Sequence, residues 1–376
     1  MDWREQVHRP TLVVNRSRAE QNIEAMAAKA ARSGVRFRPH FKTHQSALVA
    51  EWFAGQGVQQ ITVSSVRMAL YFAAHGWDDI TIAFPVNLRE IDDINDLADK
   101  VKLNLLVETA EVASVLAEKL HSEVGIFIKI DVGYGRTGIA WDRAQDVIDV
   151  TRTISTSERL GFRGLLTHAG HTYHIHSKQA RAGIFKQASE RMQNLRRALI
   201  DAGLVTGPEE CILSVGDTPG ATAVDQFKGV DELRPGNFVY FDAQQYQLGS
   251  CSEEQLAAAV ACPVVAVHPE RDEVVLYGGA IHLSKQSELL KSEDDSSGRM
   301  FGYITTANAH GWGAIEADHY VSRVSQEHGV ARVSPELCRQ IKPGDILCVI
   351  PVHSCLAVDL LDTAITTDGD LFALDL

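Results

Sequence analysis

A lysine between two histidines, a glycine-rich loop with an arginine, a crowd of histidines and a terminal histidine–cysteine pair are the parts of this chain suited to chemistry. In PHFKTH (39–44), Lys42 lies between His40 and His44. A lysine at a strand tip, facing a partly desolvated mouth, can lose its proton near neutral pH and condense with a carbonyl. In DVGYGRTG (131–138), Gly133, Gly135 and Gly138 keep a loop compact after Asp131, and Arg136 suits an anionic oxygen. THAGHTYHIH (167–176) brings His168, His171, His174 and His176 together with Tyr173. These are proton-transfer groups near neutral pH, and their spacing is not that of a zinc cage, so hydrogen-bonding roles are expected.

Small residues and hydroxyls in SVGDTPGAT (214–222) and ELRPGNF (232–238) suit a phosphate cradle. Backbone amides of Gly216, Asp217, Thr218, Gly236 and Asn237 are its candidate donors. In IPVHSC (350–355), His353 and Cys355 are two residues apart. On a strand they would face one side and could share one ion. Water and substrate would then complete the shell, which describes a catalytic site rather than a structural one. SQEHG (325–329) offers Gln326, Glu327 and His328 as further polar candidates.

Something must hold these residues at one end of the fold. β-rich runs lie near 36–42, 60–65, 79–85, 102–108, 124–131, 162–170, 210–218 and 232–242. Amphipathic segments such as NLREIDDINDLADK and TAEVASVLAEKLH separate most of them, with apolar residues at three- and four-residue spacing. Eight strands with helical crossovers predict a parallel (β/α)8 TIM barrel, with an open doubly wound sheet as the alternative. In such a barrel the reactive residues sit where the strands end, and the seventh and eighth loops hold phosphate.

After about residue 245 the long helices stop, and runs such as PVVAVHPERDEVVLYGG (263–279) read as hairpins. The expected organisation is a barrel over 11–245 and an antiparallel β-domain over 246–376, with residues 1–10 open to joining the latter. TLVVN (11–15) is a short β-rich run that is also free to pair with the β-domain. LKSEDDSSGR (290–299) reads as a polar surface loop.

Composition narrows the function. The 376 residues are 45% hydrophobic and 23% charged, as in an ordinary globular protein. A net charge of -13 argues against nucleic acid as the main partner. No apolar run is long enough to span a membrane, and MDWREQVHRP is not a secretory signal. Six scattered cysteines without a CxxC pair point to a reducing cytoplasm. No nucleotide-triphosphate loop or dinucleotide fingerprint is present.

The ordered set PHFKTH, DVGYGRTG, GHTY, SVGDTP, ELRPGNF, QEHG and PVHSC resembles the fold-type III pyridoxal phosphate enzymes, the alanine racemase-like group. Within that group it looks like the D-serine dehydratase and D-threonine aldolase branch, over roughly residues 10 to 360. The resemblance implies that Lys42 carries the cofactor and that Arg136 lies near its phenolic oxygen. It implies phosphate contacts from Gly216, Asp217, Thr218, Gly236 and Asn237, and a place for Arg234 near the pyridine ring. His353 and Cys355 match the zinc pair of the dehydratases, whereas the aldolases tend to carry H-x-D with an ion such as manganese. A thiolate ligand favours zinc on chemical grounds too. Tyr173 and His171 are the expected positioners of substrate or cofactor.

Two segments depart from the family pattern. Met68 in VSSVRMAL stands where many relatives have an acid, and YGGAIHLSK (277–285) replaces a common D-A-G-S-K, bringing in His282. The implied activity is loss of water and ammonia from a small D-3-hydroxy amino acid. Retro-aldol cleavage to glycine and an aldehyde, racemisation, and non-catalytic cofactor binding are the alternatives. A cytoplasmic homodimer is the implied setting.

Overall fold

The computed structural model describes residues 2–290 and 298–374. By its contacts the chain divides into two compact units. One holds residues 24–42 and 50–236; the other holds residues up to 23, 43–49 and 237 onward. Strand β1 (Thr11–Val14) belongs to the second of these.

The first unit is the barrel. Its strands are β2 (Arg36–Phe37), β3 (Ile61–Val63), β4 (Asp79–Pro85), β5 (Lys102–Val107), β6 (Val124–Asp131), β7 (Leu160–Thr167), β8 (Ile212–Val215) and β9 (Glu232–Leu233). They are hydrogen-bonded in the order β2-β9-β8-β7-β6-β5-β4-β3, all parallel. A parallel bridge between His40 and Thr62 joins the two ends. The (β/α)8 reading therefore holds, and the open sheet does not. The run VGIFIKID is buried at every position of β6 but the last, as a strand covered on both faces must be.

The crossover helices follow from sequence in the ordinary way. In Ala144–Ser155, Val147, Val150, Thr151 and Ile154 are buried, the three- and four-residue spacing of one helical face. Ser65, Thr109 and Ser177 cap helices by accepting from Met68 N, Val112 N and Ala180 N.

The last barrel strand is shorter than the β-rich run 232–242 suggests. It stops at Leu233. Pro235 has no amide to continue a ladder, and Asn237–Val239 turns into a 3-10 helix.

In the second unit, six antiparallel strands close on themselves. They are β10 (Ala258–His268), β11 (Glu273–Tyr277), β12 (Gly302–Asn308), β13 (Tyr320–Val324), β14 (His328–Arg332) and β15 (Ile346–Pro351). The ring runs β10-β11-β14-β13-β12-β15 and back to β10. β1 pairs antiparallel with β10, and parallel with β16 (Thr363–Thr366). β17 (Leu371–Ala373) then pairs with β16.

The contact division thus differs from boundaries at 10/11 and 245/246. Residues 11–23, 43–49 and 237–245 go with the β-domain, because β1 has its ladder partners there. Of the polar stretch 290–299, residues 291–297 lie outside the described residues.

A line of buried charge crosses the barrel where its first and last strands meet. Arg234 Nε donates to Ser214 Oγ at 2.6 Å, and that hydroxyl donates to Glu232 Oε1 at 2.6 Å. Arg38 Nε donates to Glu232 Oε2 at 2.9 Å, and Arg38 Nη1 to Asp79 Oδ1 at 2.6 Å. Lys102 ends the line on Asp79 Oδ2 at 2.8 Å. The side chains of Arg38 and Glu232 are 5% and 0% exposed, so neither charge has water to fall back on. Arg38→Met is expected to cost about 3–5 kcal/mol, because it leaves the fully buried Glu232 without a counter-charge and Asp79 with only the exposed Lys102. Urea unfolding checks this; a loss under about 1 kcal/mol would show that the line does not hold the seam.

Candidate active site

Within the barrel unit, Lys42 follows the His40 bridge at the end of the first strand and sits in a 3-10 turn, Phe41–Thr43. Its neighbour Phe41 is fully buried, with the rings of Phe53, Phe72 and Trp77 each 5.0 Å away. That anchor fixes where the lysine emerges, and the lysine itself is exposed. The Lys42 amide donates to His40 Nδ1 at 3.3 Å.

Asp131, at the end of β6, builds the next loop. Its carboxylate accepts from the amides of Gly133, Tyr134 and Gly135. Burial works against its charge, but those three amides outweigh it and hold the pKa below the ordinary value. Gly138 has φ +111°, and a Cβ there would lie 2.6 Å from Asp131 N, so only glycine fits. The exposed Arg136 lies over the Tyr134 ring at 5.4 Å. Asp131 is thus the builder of the arginine loop.

His168 is the residue beyond β7. Its Nδ1–H donates to Gly216 O at 2.5 Å, so Nε2 keeps its lone pair. Burial, then the charges of Arg136 and Lys42, push its pKa well below the ordinary value. The ring is neutral at physiological pH, and Lys42 and Arg136 are close enough to be felt there. The Tyr173 ring centroid lies 6.2 Å from His168. His171 stacks on Tyr134 at 6.2 Å and has a buried Nδ1 with no partner. A Cβ on Gly170 would lie 2.4 Å from the Tyr134 ring, so glycine permits this close packing. His174 and His176 are exposed.

After β8, Asp217 caps the helix Thr218–Ala223. Its Oδ1 accepts from Gly220 N at 2.6 Å and from Thr172 Oγ1 at 2.8 Å. Asp217 Oδ2 and Thr218 Oγ1 are buried without partners. Arg234 is buried, donating to Ser214 Oγ and, through Nη2, to Thr167 O at 2.6 Å. Burial lowers its pKa to about 10. Gly236 follows Pro235, whose carbonyl accepts from His40 N at 2.9 Å.

The β-domain unit holds the second group. The expectation that His353 and Cys355 share a face by strand alternation is corrected: β15 ends at Pro351. His353 is the N-cap of the helix Ser354–Asp359, and Cys355 lies in its first turn. His353 Nδ1 approaches Asp242 Oδ2 to 3.3 Å. Asp242, fully buried, also accepts from Ser354 N at 3.0 Å and from Asn237 Nδ2. Asn237 thus turns its side chain to Asp242 and Ser354, whose Oγ is 3.0 Å away. Cys355 Sγ is 3.2 Å from Thr43 Oγ1, the hydroxyl of the residue after Lys42. Burial alone would lower the His353 pKa; the Cys355 sulfur and the Asp242 carboxylate outweigh it and lift it to about 10. Imidazole and thiol are therefore coupled, with a carboxylate behind the imidazole, as in carboxylate–histidine–zinc arrangements. The donor set fits zinc.

Asp242 and Thr43 are the side chains that sequence reasoning did not single out. Of the four histidines read in THAGHTYHIH, His168 is the one that stands where β7 stops. Among the remaining candidates, Gln326 and His328 are exposed, and Glu327 O accepts from Gly278 N at 3.0 Å in a turn beside His282.

The barrel with its closed antiparallel β-domain is the alanine racemase-like fold. Residues 14–244 match the family model described as alanine racemase, N-terminal domain, and residues 257–367 match the putative serine dehydratase domain. The chain belongs to this family, the pyridoxal phosphate-dependent lyases of the D-serine dehydratase and D-threonine aldolase branch. It is 27% identical to the D-threo-3-hydroxyaspartate dehydratase of Delftia sp. strain HT23, over 92% of this chain and 90% of that one. It is 25% identical to the D-serine dehydratase of Dictyostelium discoideum, over 92% and 90%. The solved structure of the Delftia enzyme superposes with a TM-score of 0.88 at 26% identity, covering 99% of this chain and 98% of that one. Two further solved structures of that enzyme are a cysteine-to-alanine mutant in the metal-free form and a histidine-to-alanine mutant, the two altered residues lying two apart.

Burial raises the Asp217 pKa to about 6, against the lowering by Thr172, Gly220 and Arg234. The folded form then holds a proton that the unfolded form releases near pH 4. This group's contribution to stability is greatest below pH 4 and falls as pH rises to 6. The difference in stability between the wild type and Asp217→Asn should therefore shift against the wild type by on the order of 1–3 kcal/mol over that window. Denaturation at pH 4, 5 and 6 measures it; parallel curves would refute the raised pKa.

Proposed function

We propose that this protein is a pyridoxal phosphate- and zinc-dependent lyase that removes water and ammonia from a small D-3-hydroxy amino acid, D-serine-like. The observation that carries this reading is the histidine–cysteine pair backed by Asp242. A thiolate and an imidazole take zinc, and a metal is what the loss of hydroxide, a poor leaving group, most needs. The same residue types, at the same spacing, are the ones altered in the Delftia mutants.

The residues present suit the cofactor. Lys42 and Arg136 place positive charge near a neutral His168. Thr218 Oγ1 and Asp217 Oδ2 are buried polar atoms lacking partners beside the loop proposed for phosphate. A phosphate dianion there would raise the Asp217 pKa further and leave its carboxyl as a donor. Gly216, Thr218, Gly236 and Asn237 would add backbone amides, and Arg234 would stand near the ring. Pyridoxal phosphate, when bound, supplies the electron sink for charge at the substrate α-carbon.

Lys42 would hold the cofactor, and its amine would serve as the base for the substrate α-proton. His168 offers its Nε2 lone pair as an acceptor, and Arg136 would meet an anionic oxygen of the cofactor or substrate. Tyr173 and His171 border the same loop and position the substrate or cofactor. His353 and Cys355 would hold the ion, which would supply polarisation of the β-hydroxyl, and Asp242 would orient the imidazole so that Nε2 is presented. The aldolase outcome would use the same lysine, but the thiolate in place of a second hard ligand favours zinc and dehydration.

The substrate is a small D-amino acid, and the working form a cytoplasmic homodimer. Its six free cysteines, all but Cys251 buried, suit a reducing compartment. Among the described residues no helix is long and apolar enough to cross a membrane.

Incubation with D-serine, D-threonine and D-3-hydroxyaspartate should yield a keto acid and ammonia; glycine and an aldehyde would overturn the dehydratase reading. Lys42→Ala should lose both the visible absorption of the lysine-bound cofactor and all turnover. Chelation, or Cys355→Ala, should leave that absorption in place and lower kcat at least ~100-fold. Turnover surviving full metal removal would refute the role of the pair.

A further inference from the structure

The loop between Trp312 and β13 carries three groups outside the site described above. Glu316, Asp318 and His319 each offer one ligand atom, and these atoms lie within 4.8 Å of one another. His319 Nε2 is 3.6 Å from Glu316 Oε2 and 3.9 Å from Asp318 Oδ1. The two carboxylates are exposed, but His319 is only 5% exposed, and its buried Nε2 has no hydrogen-bond partner.

An ion pair does not account for this arrangement. Both distances exceed the length of a hydrogen bond, so an imidazolium would keep a buried, unmet N–H. A metal ion does account for it. Two ligands each about 2.0–2.2 Å from one ion stand roughly 3–4 Å apart. Backbone bonds already shape the loop around that point. His319 N donates to Glu316 O at 3.0 Å, and His319 O accepts from Ile304 N at 2.8 Å. Beside it opens a pocket of about 450 Å³, with Thr305, Thr306, Glu316, His319 and Ser334 in its wall. There is room for the waters that would complete a shell.

We propose that Glu316, Asp318 and His319 form a second divalent-metal site in the β-domain, separate from His353 and Cys355. One imidazole and two carboxylates, without a thiolate, suit a hard or borderline ion such as manganese(II), cobalt(II) or zinc. Two exposed carboxylates make the ion exchangeable, and its role is to pin the Gly313–His319 turn.

The test uses the full chain with His353→Ala and Cys355→Ala, which removes the other pair. Manganese(II) and zinc are titrated alone, with bound ion counted by equilibrium dialysis and by the loss of free manganese signal in electron paramagnetic resonance. One ion per chain is expected. Adding His319→Gln or Glu316→Gln should weaken binding at least tenfold. Glu316 is exposed, so its variant keeps the fold even if that of His319 does not; circular dichroism checks both. No bound ion in the parent, or equal binding in the folded Glu316→Gln variant, overturns the proposal. Neither readout involves turnover, so this site and the proposed lyase activity can fail independently.

Discussion

The ion pair of Arg38 with Glu232 is the contact on which the barrel depends. The first and last strands are two residues long each, so their ladder alone is a thin closure. Arg38 ties the last strand to β4 through Glu232 and Asp79, all within the barrel wall. Buried charges of this kind add little over a well-packed apolar core, but each depends on its partner being in place. They therefore discriminate between the closed register and any slipped one. The proposed cofactor lysine, Lys42, stands four positions beyond Arg38, and Arg234 two positions beyond Glu232, so the seam that closes the barrel also sets the two ends of the candidate cofactor site.

The two groups of functional residues are organised on one physical plan. In each, a carboxylate arranges a candidate site residue; Asp242 and Asp217 are buried, and Asp131 is half-buried. Asp131 folds its loop through three amides and so presents Arg136. Asp242 accepts from Asn237 and Ser354 and stands behind His353. Asp217 spends one oxygen on a helix end and a threonine, and keeps the other free. The neutral His168, wedged against Gly216 O, adds an acceptor among cations. Protonation states are set by burial and by named neighbours.

Much of this was legible in the sequence, because the informative signals were local. β6 ends at Asp131 as VGIFIKID implies, and Lys42 follows the first strand as PHFKTH implies. The histidine–cysteine pair was also legible, though for a different reason than strand alternation: Pro351 ends the strand, and a helix start brings the two together. What could not be read were pairings between distant segments. Arg38 and Glu232 are 194 positions apart, and Thr43 and Cys355 are 312 apart. No spacing rule connects such residues. TLVVN announced a strand and left open a pairing with the β-domain, and that is the pairing the strand has, so the contact division departs from a boundary at residue 11.

The placement of that first strand bears on how the protein is made. Thr11–Val14 pairs with Ala258–Ala261 and with Leu371's neighbour strand, Thr363–Thr366. On the ribosome it leaves the exit tunnel long before either exists. At roughly 5–20 residues per second, the nascent segment waits on the order of tens of seconds for its first ladder partner. During that interval four β-prone residues have unsatisfied edges, a natural client for a chaperone and a point where slow synthesis would favour aggregation.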